Sequence, residues 1–106
     1  MVPNDPHATA PTAAEVAFSE HDGGGAFYIE RGGRRIAEMT FVHDGPSHAR
    51  FDHTFVVPEL RGHGVAGLLM HAAVEWARRT GIRVVPDCSY VRAAFARDPS
   101  IADVLA

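Results

Sequence analysis

The sequence predicts an α/β (α+β) fold in the order β-β-β-β-α-β-α, an antiparallel meander of four strands joined through a helix to one parallel strand. Three observations carry this. Gly32-Gly33 separates two runs of strand-forming residues, a two-residue glycine turn that signals a hairpin. Pro58 closes the run from Phe51 to Val57, because proline cannot donate to a strand ladder. Beyond it the apolar period changes, and Val65, Leu68, Leu69, Ala72 and Trp76 fall on one stripe of an α-helix.

Taken in order, Met1 to Thr12 carries three prolines and little that is apolar, and is predicted to be a disordered tail. Residues 13–106 are predicted to form one domain, with no repeat and no second unit. Ala14 to Phe18 alternates weakly and reads as a first strand. His21-Asp22-Gly23-Gly24-Gly25 is a turn by composition. Ala26 to Arg31 and Arg34 to His43 are the hairpin strands, and Asp44-Gly45-Pro46-Ser47 turns the chain again. Arg50 to Val57 is the fourth strand, on which strict alternation puts Phe51, His53, Phe55 and Val57 on one face. The helix from Val65 stops at Thr80-Gly81, and Ile82 to Val85 is a short buried strand. A right-handed crossover sets that strand parallel to the fourth. Tyr90 to Arg97 is an amphipathic helix halted before Asp98-Pro99, and Ser100 is the expected cap of a last turn through Leu105.

Composition narrows the function. With 106 residues there is room for one modest core. No apolar run approaches the ~20 residues of a membrane span, and no signal sequence opens the chain. A formal charge of -3 offers no general attraction to nucleic acid or anionic membrane. The single cysteine excludes an internal disulfide and suits a reducing compartment, so the cytoplasm is expected. The seven histidines show no close-paired ligand spacing, which argues against a zinc site. All ten basic Lys/Arg positions are arginine, so self-modification at an amine is confined to the N-terminus.

The chemistry centres on Pro58-Glu59-Leu60-Arg61-Gly62-His63-Gly64-Val65-Ala66-Gly67. Glycines stand where a helix begins, and the first N–H groups of that helix have no partner inside it. Unpaired donors at the positive end of a helix dipole favour a phosphate. A Walker A loop requires a lysine, and the chain has none. Gly62-His63-Gly64-Val65-Ala66-Gly67 does spell the dinucleotide fingerprint G-x-G-x-x-G, with Asp87 about 20 residues on. Against it, Pro58 to Arg61 intervene after the strand, and too little chain follows for a doubly wound domain.

Arg61, Gly64 and Ala66 match R/Q-x-x-G-x-G/A, and with the preceding strand and following helix the stretch resembles the acetyl-CoA signature of the GNAT N-acetyltransferases. His53-Thr54 and Cys88-Ser89-Tyr90 are similar to the short stand-alone YjdJ-type subfamily, whose chains lack the superfamily's early helices. The resemblance covers roughly Ala26 to Pro99. It implies a minimal GNAT fold whose fourth and fifth strands splay around acetyl-CoA as acyl donor, without a metal. The backbone amides of Arg61, Gly62, His63, Gly64, Val65 and Ala66 would hold the diphosphate, with the His63 side chain as a further donor. The strand from Phe55 through Val56 to Val57 would pair with the pantetheine arm and polarise the thioester carbonyl. The acceptor would be a small-molecule or protein amine, and the protein a monomer or weak homodimer.

Three side chains are candidates for the reaction. Cys88 precedes a helix N-terminus that would favour its thiolate, and it could accept the acyl group; otherwise it is a small buried apolar residue. Tyr90 stands where GNAT enzymes often keep a tyrosine that protonates the departing thiolate; otherwise it packs at a helix start. His53 is an imidazole, a side-chain type suited to deprotonating an amine, or is a hydrogen-bonded core residue. Asp52 and Glu59 are alternative bases. Arg92 and Arg97 could reach the 3′-phosphate of CoA, and Arg78 and Arg79 are expected to complement the dipole of the long helix. The competing functions are a non-catalytic acyl-CoA-binding module and a nucleotide-binding fragment that works only within an oligomer.

Overall fold

The computed structural model describes residues 9–106. Five strands form one sheet in the order β1-β2-β3-β4-β5. These are β1 (Ala17–His21), β2 (Gly24–Arg31), β3 (Arg34–His43), β4 (His48–Val56) and β5 (Arg83–Pro86). β1 to β4 are antiparallel, and β5 lies parallel to β4. Helix α1 (Val65–Thr80) crosses between β4 and β5, and α2 (Ser89–Arg97) follows β5. Three 3-10 turns, Ala13–Glu15, Pro58–Leu60 and Pro99–Val104, complete the chain. The fold class and strand pairing are those the sequence predicts. Among the described residues no helix is long and apolar enough to cross a membrane.

Several boundaries differ, each for a local reason. Of the stretch 1–12, residues 1–8 lie outside the described part, while Arg31 reaches the carbonyl of Thr9 at 2.6 Å. The weakly alternating segment after it is not a strand at its start. Glu15 accepts from the Thr12 N–H at 3.2 Å and is gripped by Arg31 Nη2 at 2.7 Å, which winds 13–15 into a turn. Gly24 and Gly25 belong to β2 and not to the turn before it. A Cβ at Gly24 would stand 2.1 Å from the Phe41 carbonyl oxygen, and one at Gly25 2.2 Å from that of Ser19. These glycines serve close strand approach rather than reversal. The final turn is capped by Asp98, whose Oδ1 accepts from the Ser100 N–H at 3.0 Å, so Ser100 is the capped residue.

The most consequential departure is a β-bulge in β4. Phe41 pairs with Phe51 and Thr40 with His53, so Asp52 is an extra residue on its strand. Alternation resumes with opposite parity. Phe51 is wholly buried against α1, whereas Phe55 is 36% exposed and His53 is exposed on the face away from α1. Thr54 and Val56 take the inner face in their place. A bulge of this kind leaves no mark in hydrophobic periodicity.

The core lies between α1 and the inner face of the sheet. Leu69, Ala73, Val74 and Trp76 supply the helix side. The Trp76 ring sits 4.9 Å from Phe41 and 5.7 Å from Phe27, centroid to centroid, with Phe51 stacked on Phe41 at 5.2 Å. The parallel ladder is short, running from His48 opposite Arg83 to Phe51 opposite Pro86. A last bond joins the Cys88 N–H to the Phe51 carbonyl at 2.8 Å. Past it the chain of β5 turns into α2 while β4 continues, and the two part as a wedge.

Candidate functional site

The wedge opens onto the loop that starts α1. The Pro58–Leu60 turn anchors through Leu60, which is buried. The Arg61 N–H then donates to the Pro58 carbonyl and the His63 N–H to that of Leu60, both at 3.3 Å. Gly62 and Gly64 adopt φ of 82° and 76°, a left-handed backbone that carries the chain into the helix with Gly64 as its N-cap. The first-turn amides of Val65, Ala66 and Gly67 have no acceptor within the helix and present a positive dipole end. So the amides of Arg61 and His63 serve the loop itself, while those of the helix start are available to an anion.

These groups line a hollow of about 230 Å³ bounded by Val56, Leu60, the Arg61–Gly64 loop and Tyr90. It adjoins a larger cleft of about 430 Å³ between α1 and α2, where Arg97 and His71 stand; Gly67 and Tyr90 line both. The β4 edge forms the other wall. The Val57 N–H donates to the Ile36 carbonyl of β3 at 2.9 Å. Alternation therefore turns the Val56 N–H and carbonyl the other way, into the wedge. Of Phe55, Val56 and Val57, Val56 is the residue whose backbone faces the wedge. Its carbonyl accepts from Arg61 Nε at 3.0 Å.

Cys88 is the N-cap of α2 and is partly buried, with its Sγ 3.3 Å from Thr54 Oγ1. Burial raises its pKa, but the Thr54 hydroxyl and the N–H groups of Val91, Tyr90 and Thr54 outweigh that, and the net shift is downward. No capping hydrogen bond to the helix is closed, so the α2 amides act as oriented dipoles. Thr54 is the residue sequence reasoning missed as a site member. Only the bulge turns it toward Cys88.

The other candidates do not converge on one point. Tyr90 lies beside the first turn of α1, its hydroxyl 4.0 Å from where a Gly67 Cβ would be. His53 is on the far face of β4, its Nε2 3.5 Å from Glu38 Oε2. Asp52 accepts from the Thr40 hydroxyl at 2.7 Å, and Glu59 is exposed. Arg92 donates to the Asp87 carbonyl at 2.9 Å, whereas Arg97 stacks 5.7 Å from the Tyr90 ring centre and lines the α1–α2 cleft. Arg78 does more than complement a dipole. It holds both carboxylate oxygens of Asp103, at 2.9 and 3.0 Å, and the Ser100 carbonyl, tying the final turn to α1. Arg79 is exposed at the last turn of α1. Among the described residues no group of three or more His, Cys, Asp or Glu is arranged to hold a metal ion.

The sheet is antiparallel except at its last pair, which is not the doubly wound arrangement a dinucleotide fingerprint requires. Comparison with known proteins agrees. The family model of the GCN5-related N-acetyl-transferases matches residues 26–104. A GCN5-like protein of Staphylococcus aureus, solved in solution by NMR, is 28% identical with a TM-score of 0.68. The similarity covers 88% of this chain and 90% of that one. No curated protein matches the chain.

Proposed function

The chain belongs to the GCN5-related N-acetyltransferase family, and from that membership we propose that it transfers acetyl from acetyl-CoA to a small-molecule or protein amine, as a short YjdJ-type member. The observation that carries this reading is the wedge. Its two walls are a strand edge offering the Val56 N–H and a helix start offering unpaired amides, the two kinds of donor that a thioester carbonyl and a diphosphate need.

The donor supplies an activated thioester, and the protein supplies position and proton handling. The amides of Val65, Ala66 and Gly67 hold the diphosphate, with Gly62 and Gly64 keeping side chains out of its approach. The Val56 N–H stands by the thioester carbonyl and stabilises charge developing on its oxygen. When the amine nitrogen attacks, the C–N bond forms, the C–S bond breaks and the amine loses a proton. His53, exposed on the far face of β4, would take that proton from an acceptor that approaches from that side. Tyr90 returns one to the departing thiolate.

Cys88 supports a two-step variant, in which its sulfur bonds the acetyl carbon as the CoA thiol leaves and the amine then displaces it. A second reading, an acyl-CoA-binding module without turnover, is favoured by the separation of Cys88 and His53 on opposite faces of β4. Thiol release from acetyl-CoA with a panel of amines decides between them. Release that depends on amine supports transfer, and binding without release supports the module. Cys88→Ala is expected to lower release at least 10-fold and abolish a thiol-linked acetyl adduct by intact mass; unchanged release removes Cys88 from the mechanism.

A further inference from the structure

We propose that Arg61 serves this site through the N–H on its Nε rather than through its charge, as a positioning residue that fixes the distance between the two walls of the wedge. The proposal rests on the CoA-binding reading above. Its observation is the bond from Arg61 Nε to the Val56 carbonyl at 3.0 Å. The main-chain N–H of Arg61 is already given to Pro58, so neither of these donors points to an anion.

A tie is needed here for a mechanical reason. A ligand that touches both the Val56 edge and the first turn of α1 binds well only if the two keep a fixed separation. Residues 57–64 join them. The front half is anchored by the buried Leu60. The back half contains Gly62 and Gly64, both at positive φ, around which a Cβ would meet nothing within 4 Å. That segment is exposed, and its backbone bond from the His63 N–H to the Leu60 carbonyl ties it to the front half and not to β4. The Arg61 bond is a side-chain hydrogen bond that returns it to β4.

Covalent geometry then makes a sharp distinction. Arg Nε and Gln Nε2 are both bonded to Cδ, so glutamine places an N–H donor at the same reach without a charge. Methionine keeps the length and offers no donor.

The test uses wild type, R61Q and R61M in two measurements. Without ligand, the Val57 amide resonance reports the bond accepted by the Val56 carbonyl; it is expected to move in R61M and to stay in R61Q. By calorimetry with CoA, R61Q is expected within about 3-fold of wild type and R61M about 10-fold weaker, the size of one lost hydrogen bond. If R61Q weakens as much as R61M, the charge is what matters and the proposal fails. If R61M binds like wild type, the tie is dispensable and it fails too. Wild type that binds no CoA overturns the functional reading itself, a result distinct from either because it appears before any substitution is made.

Discussion

Cys88 shows how far a single residue can be read from its neighbours. A lone cysteine before a helix is chemically ambiguous, and what the fold adds is a partner, Thr54, 3.3 Å away and brought there by one inserted residue in β4. With burial opposed and outweighed by hydrogen bonds, the thiol titrates below the ordinary cysteine value, so its thiolate persists to lower pH. Thr54→Val removes the hydroxyl donor and leaves the burial in place, which moves the titration upward. Iodoacetamide alkylation across pH is expected to show a wild-type midpoint below that of a free cysteine. At neutral pH the Thr54→Val protein should react roughly 3- to 10-fold more slowly. A midpoint that does not move with this substitution would remove Thr54 from the account.

At the scale of elements, the sequence disclosed where chemistry changes character and concealed how strands touch. The end of β4 at Pro58, the glycine hairpin and the apolar stripe of α1 were all legible, because proline, paired glycines and a 3.6-residue period each have one dominant physical cause. Gly23-Gly24-Gly25 was not, since composition treats its three residues alike. The geometry does not. Gly23→Ala meets only the His21 ring at 3.9 Å, while Gly24→Ala drives a methyl into the Phe41 carbonyl oxygen, which belongs to the neighbouring strand and cannot swing aside. Urea unfolding is expected to find Gly23→Ala within about 0.5 kcal/mol of wild type and Gly24→Ala destabilised by about 2–4 kcal/mol. Equal effects would mean that Gly24 lies in the turn after all. The bulge at Asp52 was hidden for a related reason. It changes which residues face the core without changing their order, and so it misassigned His53 and concealed Thr54.

For the whole molecule, one arrangement accounts for both fold and site. The sheet stays closed while β4 and β5 pair, and opens once Pro86 ends the pairing and α2 begins. The same topology that packs Trp76 onto four phenylalanines places the start of α1 beside the open edge of β4. The last turn is part of this frame: Arg78 clamps Asp103, and the Ala106 N–H donates to the Val84 carbonyl at 2.9 Å, which covers the outer edge of β5. Two-dimensional NMR of the labelled protein titrated with CoA tests the central claim most directly. The amides of Val65, Ala66, Gly67 and Val56 are expected to shift together and saturate at one concentration, with those of Tyr28 and Thr40 on the opposite face unmoved. Saturable CoA binding that leaves the α1 start and Val56 unshifted, or binding of NAD in place of CoA, would contradict it.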